Sequence, residues 1–147
     1  MKGFEFRETM AGSFHLLSAP EDERAISFTI RARAKHLWPF LRRPITRIEG
    51  AIDAEGFADH RRLEGTLGLD MFRTGTLPYA FHFTANDDKP YLFEGKKTID
   101  WRRFAESMSI LPGAIYDEHG KEVGRAVLRF DMRNDLVRFL KSFKPSG

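Results

Sequence analysis

The sequence predicts an all-β fold: an up-and-down antiparallel β-barrel of about eight strands followed by a C-terminal helix. Three observations carry that expectation. In the stretch 61–70, Leu63, Gly65, Leu67 and Leu69 fall on one side of an extended chain and Arg62, Glu64, Thr66 and Gly68 on the other. This is the period of two that marks a half-buried strand. The centre of that stretch, an apolar residue followed by Glu-Gly, recurs as Ile48-Glu49-Gly50 and Phe93-Glu94-Gly95. Finally, Gly12, Gly50, Gly65, Gly95 and Gly124 all share the apolar face of their strands. A glycine weakens a strand unless it marks a bend, a bulge or a close approach. Five of them on inward positions fit a curled, closed sheet better than a flat sandwich.

Taken in order, residues 6–16 form a first strand with Phe6, Met10, Gly12, Phe14 and Leu16 in step, and 18–23 form a turn around Pro20. Ile26, Phe28, Ile30 and Ala32 then alternate with Ser27, Thr29, Arg31 and Arg33 in the cleanest strand of the chain. The pattern breaks at 35–44, where Leu37, Trp38, Phe40 and Leu41 bunch between basic ends with Pro39 and Pro44. Proline argues against a central strand, so this is a loop or one helical turn carrying apolar side chains. Alternation returns at 47–53, and Ala54-Glu55-Gly56 turns the chain into 61–69. Residues 72–78 link to a strand at 79–83. Asn86-Asp87-Asp88-Lys89-Pro90 is the strongest turn signal and joins that strand to 91–99 as a hairpin. Residues 101–109 carry both signals, a helical turn over 102–106 and a strand around Met108 and Ile110. A turn at 118–121 precedes Gly124, Ala126, Leu128 and Phe130 on one strand face. Asp131 is placed to cap a closing helix in which Leu136, Phe139, Leu140 and Phe143 follow the i, i+3, i+4, i+7 rule. Regular short strands punctuated by turns mean a sandwich or a barrel, and the glycines choose the barrel.

The 147 residues make one domain, 1–147, with 41% hydrophobic residues to fill its core. Cysteine is absent, which excludes disulfides and thiolate metal sites. The N-terminal residues lack the apolar run of a signal peptide, and no stretch of about 18 apolar residues exists to span a membrane, so the expected location is the cytoplasm. A net charge of +3 from dispersed Lys and Arg fits solvated strand faces. The 14 Phe, 3 Tyr and 2 Trp are more unusual, and suit a wide interior.

Phe6-Arg7-Glu8-Thr9-Met10-Ala11-Gly12-Ser13-Phe14, taken with Tyr91-Leu92-Phe93-Glu94-Gly95-Lys96-Lys97, resembles one family. It is the small lipocalin-like (calycin-like) accessory β-barrel domain appended to cholesterol-oxidase-like flavoproteins of the glucose–methanol–choline class. That module has a Met-x-Gly near its start, matched by Met10 and Gly12. An aromatic strand, a turn and a Tyr-x-x-x-Gly-x-Lys element follow, matched by residues 79–83 and by Tyr91, Gly95 and Lys97. It closes with an aspartate and a hydrophobic helix, matched by Asp131 and residues 136–143. The resemblance implies a calycin-like barrel in a lipid- or sterol-handling context and a flavoprotein oxidoreductase as partner. It implies no flavin chemistry here, since no Gly-x-Gly-x-x-Gly follows a strand and no cofactor is expected.

The first candidate site is the barrel interior. Phe28, Ile30, Ile52, Leu63, Leu67, Phe81, Phe83, Phe93 and Phe130, with Ile26, Ile48 and Leu128, would line an apolar pocket for a small hydrophobic ligand such as a lipid or sterol. An eight-stranded barrel either holds one such ligand or fills with its own side chains. The second is Leu37, Trp38, Phe40 and Leu41, as a lid over the mouth, a plug in it, or an anchor dipping into a lipid surface. The five histidines show no metal-binding spacing. His82, set opposite to Phe81 and Phe83, could pair with Glu94 across the hairpin, as a proton-transfer dyad or as a surface cross-strand pair. The basic pairs Arg31 and Arg33, Arg42 and Arg43, Arg61 and Arg62, and Arg102 and Arg103 could form a stripe for an acidic partner. Strand aromatics that share the apolar face argue against nucleic acid, which wants them outward among the bases. The leading expectation is non-enzymatic binding of a hydrophobic ligand inside the barrel. The alternatives are an accessory module with a solid barrel that docks a flavoprotein or homodimerises, and a small barrel isomerase or cyclase. The last would need polar groups inside.

Overall fold

The structure, a computed structural model, describes residues 3–34, 44–130 and 144–146. Its strands are β1 (Gly3–Leu16), β2 (Arg24–Ala34), β3 (Ile45–Ala54), β4 (Ala58–Gly68), β5 (Thr76–Thr84), β6 (Pro90–Thr98), β7 (Ile110–Tyr116), β8 (Glu122–Arg129) and β9 (Lys144–Ser146). Each of the first seven pairs antiparallel with the next, and β8 returns to β1 over Ala11↔Arg129 to Leu16↔Gly124. The sheet therefore closes as the expected up-and-down barrel. Closure removes the exposed edges that an open sheet would leave.

The long β1 makes this closure possible. One of its edges is covered by β2 from Phe4↔Ala34 to Phe14↔Arg24, while the other is shared by β8 and, at its start, by β9. No alternation in the sequence announces β9, which pairs with Gly3–Glu5. The expected C-terminal helix over 131–143 and the segment containing Leu37, Trp38, Phe40 and Leu41 lie outside the described residues.

Alternation sorts the side chains as the pattern requires. Met10, Phe28, Ile52, Leu63, Phe81, Phe93, Ile115 and Leu128 point inward and are almost wholly buried, while their sequence neighbours face out. Each Phe or Leu removed from water in this way contributes about 1.5–3 kcal/mol. Of the five glycines expected inward, Gly12, Gly50, Gly65 and Gly95 sit where a neighbouring strand's backbone crowds in, although Gly12 itself is exposed, and Gly124 has more room. A Cβ on Gly12 would lie on the Val127 carbonyl, and one on Gly65 on the Ala80 carbonyl.

The boundaries differ from expectation in two places. The link expected at 72–78 lies three residues earlier, at 69–75: a single turn of helix, α1 (Met71–Thr74), ends at Gly75, whose φ of 72 lets the chain reverse into β5. Pro78 thus lies inside β5, but one residue beyond the β4–β5 ladder, which ends at Tyr79, so its missing N–H costs little. The ambiguous stretch 101–109 resolves as a 3₁₀ turn (Trp101–Arg103) running into α2 (Phe104–Met108), with Asp100 accepting the Arg102 N–H as its cap at 3.0 Å. Strand β7 begins just after it.

The connections at the two ends differ. Those at 17–23, 55–57, 85–89 and 117–121 are short turns, and Phe57 folds in among Phe14, Phe83 and Tyr91 with ring centroids 4.8–6.2 Å apart. This aromatic cluster closes the turn end. The opposite end carries the connections 35–44, 69–75 and 99–109, which include the two longest.

Candidate functional site: a buried carboxylate, phenol and ammonium

The nine residues expected to line a ligand pocket all face the interior, and none is more than 8% exposed. The space between them is occupied. Phe28 of β2 reaches across the barrel to β5 and β6, its ring 5.3 Å from Phe81 and 6.1 Å from Phe93, and Phe81 stacks on Phe93 at 4.8 Å. Met10, Ile52, Leu63, Phe81, Phe93, Leu111 and Leu128 expose no surface at all. A water-sized void beside any of them would have given it some. The middle of the barrel is filled by its own side chains.

Polar groups do enter the interior, toward the end with the long connections. Glu8 lies on the inward register of β1 between Phe6 and Met10, Tyr79 on that of β5, and Lys97 on that of β6 after Phe93 and Gly95. The Tyr79 hydroxyl donates to Glu8 Oε1 at 2.5 Å, and the Lys97 ammonium donates to Glu8 Oε2 at 2.9 Å. Lys97 Nζ also stands 5.3 Å from the Tyr79 ring centroid, in cation–π range. Lys97 is 2% exposed and Glu8 7%. Phe28, 6.2 Å from the Tyr79 ring, separates this cluster from the aromatic centre. Nearby on the same inward register, the Thr46 hydroxyl donates to the Arg33 carbonyl at 2.7 Å.

None of these three residues is among the expected site residues, although the signal is present. Glu8 and Lys97 are the charged residues that interrupt an apolar register of their strands. Burial, and then the negative charge of Glu8 and the hydrogen bond to it, hold the Tyr79 phenol well above its ordinary value near 10. Burial and a 2.7 Å bond to Asp87 push Tyr91 up to about 12. Both shifts raise the folded-state value, so both favour the fold below pH ~10, where the unfolded chain still keeps its phenolic protons. That contribution is lost as pH rises through ~10 and beyond, because the unfolded chain ionises first. An alkaline titration should therefore show part of the phenolate absorbance withheld until the strand circular-dichroism signal collapses. All three tyrosines ionising near pH ~10 with the fold intact would contradict the buried phenol.

The other expected sites fall apart in the structure. His82 does point outward, but the β5–β6 register sets it opposite Leu92, while Glu94 faces Ala80. Its direct cross-strand neighbour is Glu64 of β4, so the His82–Glu94 dyad is not formed as a facing pair. Most of the described basic residues of these pairs are met by acids. Arg31 and Arg33 meet Glu5, Arg61 meets Asp88, Arg62 meets Glu49 and Glu64, and Arg103 meets Glu106. Arg42 and Arg43 lie outside the described residues. Among the described residues no group of His, Asp and Glu is arranged to hold a metal, and no helix is long and apolar enough to cross a membrane. A cleft of about 120 Å³ between Lys89, Tyr91, Asp117 and His119 at the turn end is well short of the roughly 300 Å³ that a small-molecule pocket needs.

Fold and site together define an eight-stranded antiparallel barrel, filled by aromatics, with a carboxylate–phenol–ammonium cluster buried inside one end. No family model, curated protein or solved structure matches this chain.

Proposed function

We propose that this chain is a non-enzymatic interaction module, of the lipocalin-like accessory kind it resembles, which works through its surface rather than through a ligand held inside. The observation that supports this reading is the Phe28 ring seated against Phe81 and Phe93 across the barrel axis. A lipid or sterol in the interior would have to displace these rings. The buried Glu8–Tyr79–Lys97 cluster fits the same reading, because its groups bond to one another and both oxygens of the Glu8 carboxylate are occupied. A protein-docking role also suits a partner of the flavoprotein class that the resemblance implies, with the barrel contributing shape and surface rather than chemistry.

Native mass spectrometry of the purified chain, offered fatty acids, a sterol and an apolar fluorescent dye, tests the proposal. The expected result is the mass of the bare protein and no dye enhancement. A stoichiometric adduct lost on replacing Phe28 or Phe93 with tryptophan would restore the interior-ligand reading and overturn this one.

A further inference from the structure

Strands β6 and β7 part before either of them ends. They pair from Leu92↔Tyr116 to Gly95↔Gly113 and no further. Beyond that point β6 stays paired with β5 as far as Thr98↔Thr76, and β7 with β8 from Ile110↔Arg129. The cause is Pro112, which the same register would set opposite Lys96. The Ile99 N–H bonds to the Gly75 carbonyl on the β5 side, so by alternation Lys96 and Thr98 turn their ladder groups toward β7. Proline has no N–H to give there, and the ladder stops. The seam left between 96–98 and 110–112 lies beside the buried cluster: its inward residues are Lys97 and Leu111.

The connection 99–109 crosses this seam. One foot is the Ile99 N–H bond to Gly75, the other the Phe130 N–H bond to the Ser109 carbonyl, both at 2.8 Å. Between the feet α2 rests on both β6 and β7, yet neither it nor the 3₁₀ turn contains a buried residue. Met108 is half-buried against the core, and Trp101 stacks on Phe72 of α1 at 5.6 Å. The Asp100 N–H donates to Ser107 Oγ at 3.0 Å, closing the connection on itself.

We propose that residues 99–109 are a strap that lifts from this seam, and that its lifting, rather than unfolding of the barrel, is how water and small reagents reach Glu8, Tyr79 and Lys97. Segments that bury few apolar groups open at lower free energy than the whole fold. Lifting the strap uncovers Met108 and breaks its foot bonds, and parting the seam beneath breaks no ladder bond, since none is formed there. Opening the barrel anywhere along its paired ladders would break such bonds and wet the aromatic centre as well. The cluster therefore has a side entrance with a hinged cover.

Acetylation of the native full chain by N-hydroxysuccinimidyl acetate tests this, read lysine by lysine by mass spectrometry at rising urea below the unfolding transition. Lys96, exposed beside the seam, is expected to react at once. Lys97 should react slowly, at a rate that hardly responds to urea, because a local opening exposes little surface. Ser107→Ala and Trp101→Ser should each raise the Lys97 rate about threefold or more and leave the Lys96 rate alone. A Lys97 rate that climbs with urea as steeply as global unfolding overturns the proposal, as does a Lys97 that reacts only once the barrel unfolds. So does a rate indifferent to both substitutions, which would place the opening elsewhere at this end, such as at the connection 35–44. The urea dependence of the unsubstituted chain decides even where a variant fails to fold.

Discussion

Lys97→Met is expected to cost about 3–5 kcal/mol of stability in equilibrium urea unfolding, because it strips a buried carboxylate of its ammonium partner. Glu8 then keeps only the Tyr79 hydroxyl, in a place where water cannot replace what was lost. Glu8→Gln should act in the same direction, by leaving Lys97 charged and unpaired. Tyr79→Phe removes one hydrogen bond to the carboxylate and should cost less, about 1.5–3 kcal/mol. The informative protein is the double variant Glu8→Leu with Lys97→Met. Burying two charges is itself expensive, so removing both together should cost far less than the sum of the single changes. Single variants that lose under about 1 kcal/mol would mean that the pair is hydrated and unimportant. What the cluster supplies to the fold is position. β1 stands across the barrel from β5 and β6 in the closed order, so Glu8 to Tyr79 and Lys97 is a strut through the interior. Apolar contacts tolerate a strand that slips by two residues, since the same face stays inward. A slip at β6 would carry Lys97 away from Glu8 and leave both charges buried alone.

The same strut shows what a pattern of alternation can and cannot say. Period two assigns a face to every strand residue, so the interior residues from Phe28 to Phe130 are legible in the sequence, and so is the closure implied by inward glycines. The same parity also places Glu8 between Phe6 and Met10, and Lys97 two residues after Gly95. It cannot say that these two meet, because they lie 89 residues apart and only the closed strand order brings them together. Whether the barrel is hollow is equally illegible. That depends on how far Phe28 reaches across the axis, a matter of rotamer and barrel radius rather than sequence period. The departures at 72–78 and in the His82–Glu94 pairing have one root. Proline and turn residues suggest where strands stop, whereas ladder ends decide where a proline is tolerated, and the Phe81↔Phe93 pairing fixes the hairpin's register. The exposed rings of Phe72, Trp101 and Phe104 escape the pattern because they sit on short helical turns, where strand alternation has nothing to say.

Gly65→Ala and Gly12→Ala are each expected to cost about 3 kcal/mol or more, because each new methyl group would meet the backbone of a neighbouring strand. Neither glycine is needed for an unusual φ, since their backbones are ordinary strand. What forbids a side chain is the neighbouring strand. The added Cβ of residue 65 would overlap the Ala80 carbonyl on β5, and that of residue 12 the Val127 carbonyl on β8. Backbone cannot rotate out of the way as the tip of a side chain can, so the β4–β5 or β8–β1 ladder must part locally and lose hydrogen bonds. Gly120 provides the contrast. It has a φ of 78 in a turn, and a methyl group added there would meet nothing within 4 Å. Gly120→Ala therefore costs only the strain of left-handed backbone, about 1–2 kcal/mol. Urea unfolding of the three variants under one set of conditions separates the two effects. If Gly65→Ala and Gly12→Ala cost no more than Gly120→Ala, the strands do not approach that closely. The tight curl that closes this barrel over its aromatic centre would then have to come from somewhere other than its inward glycines.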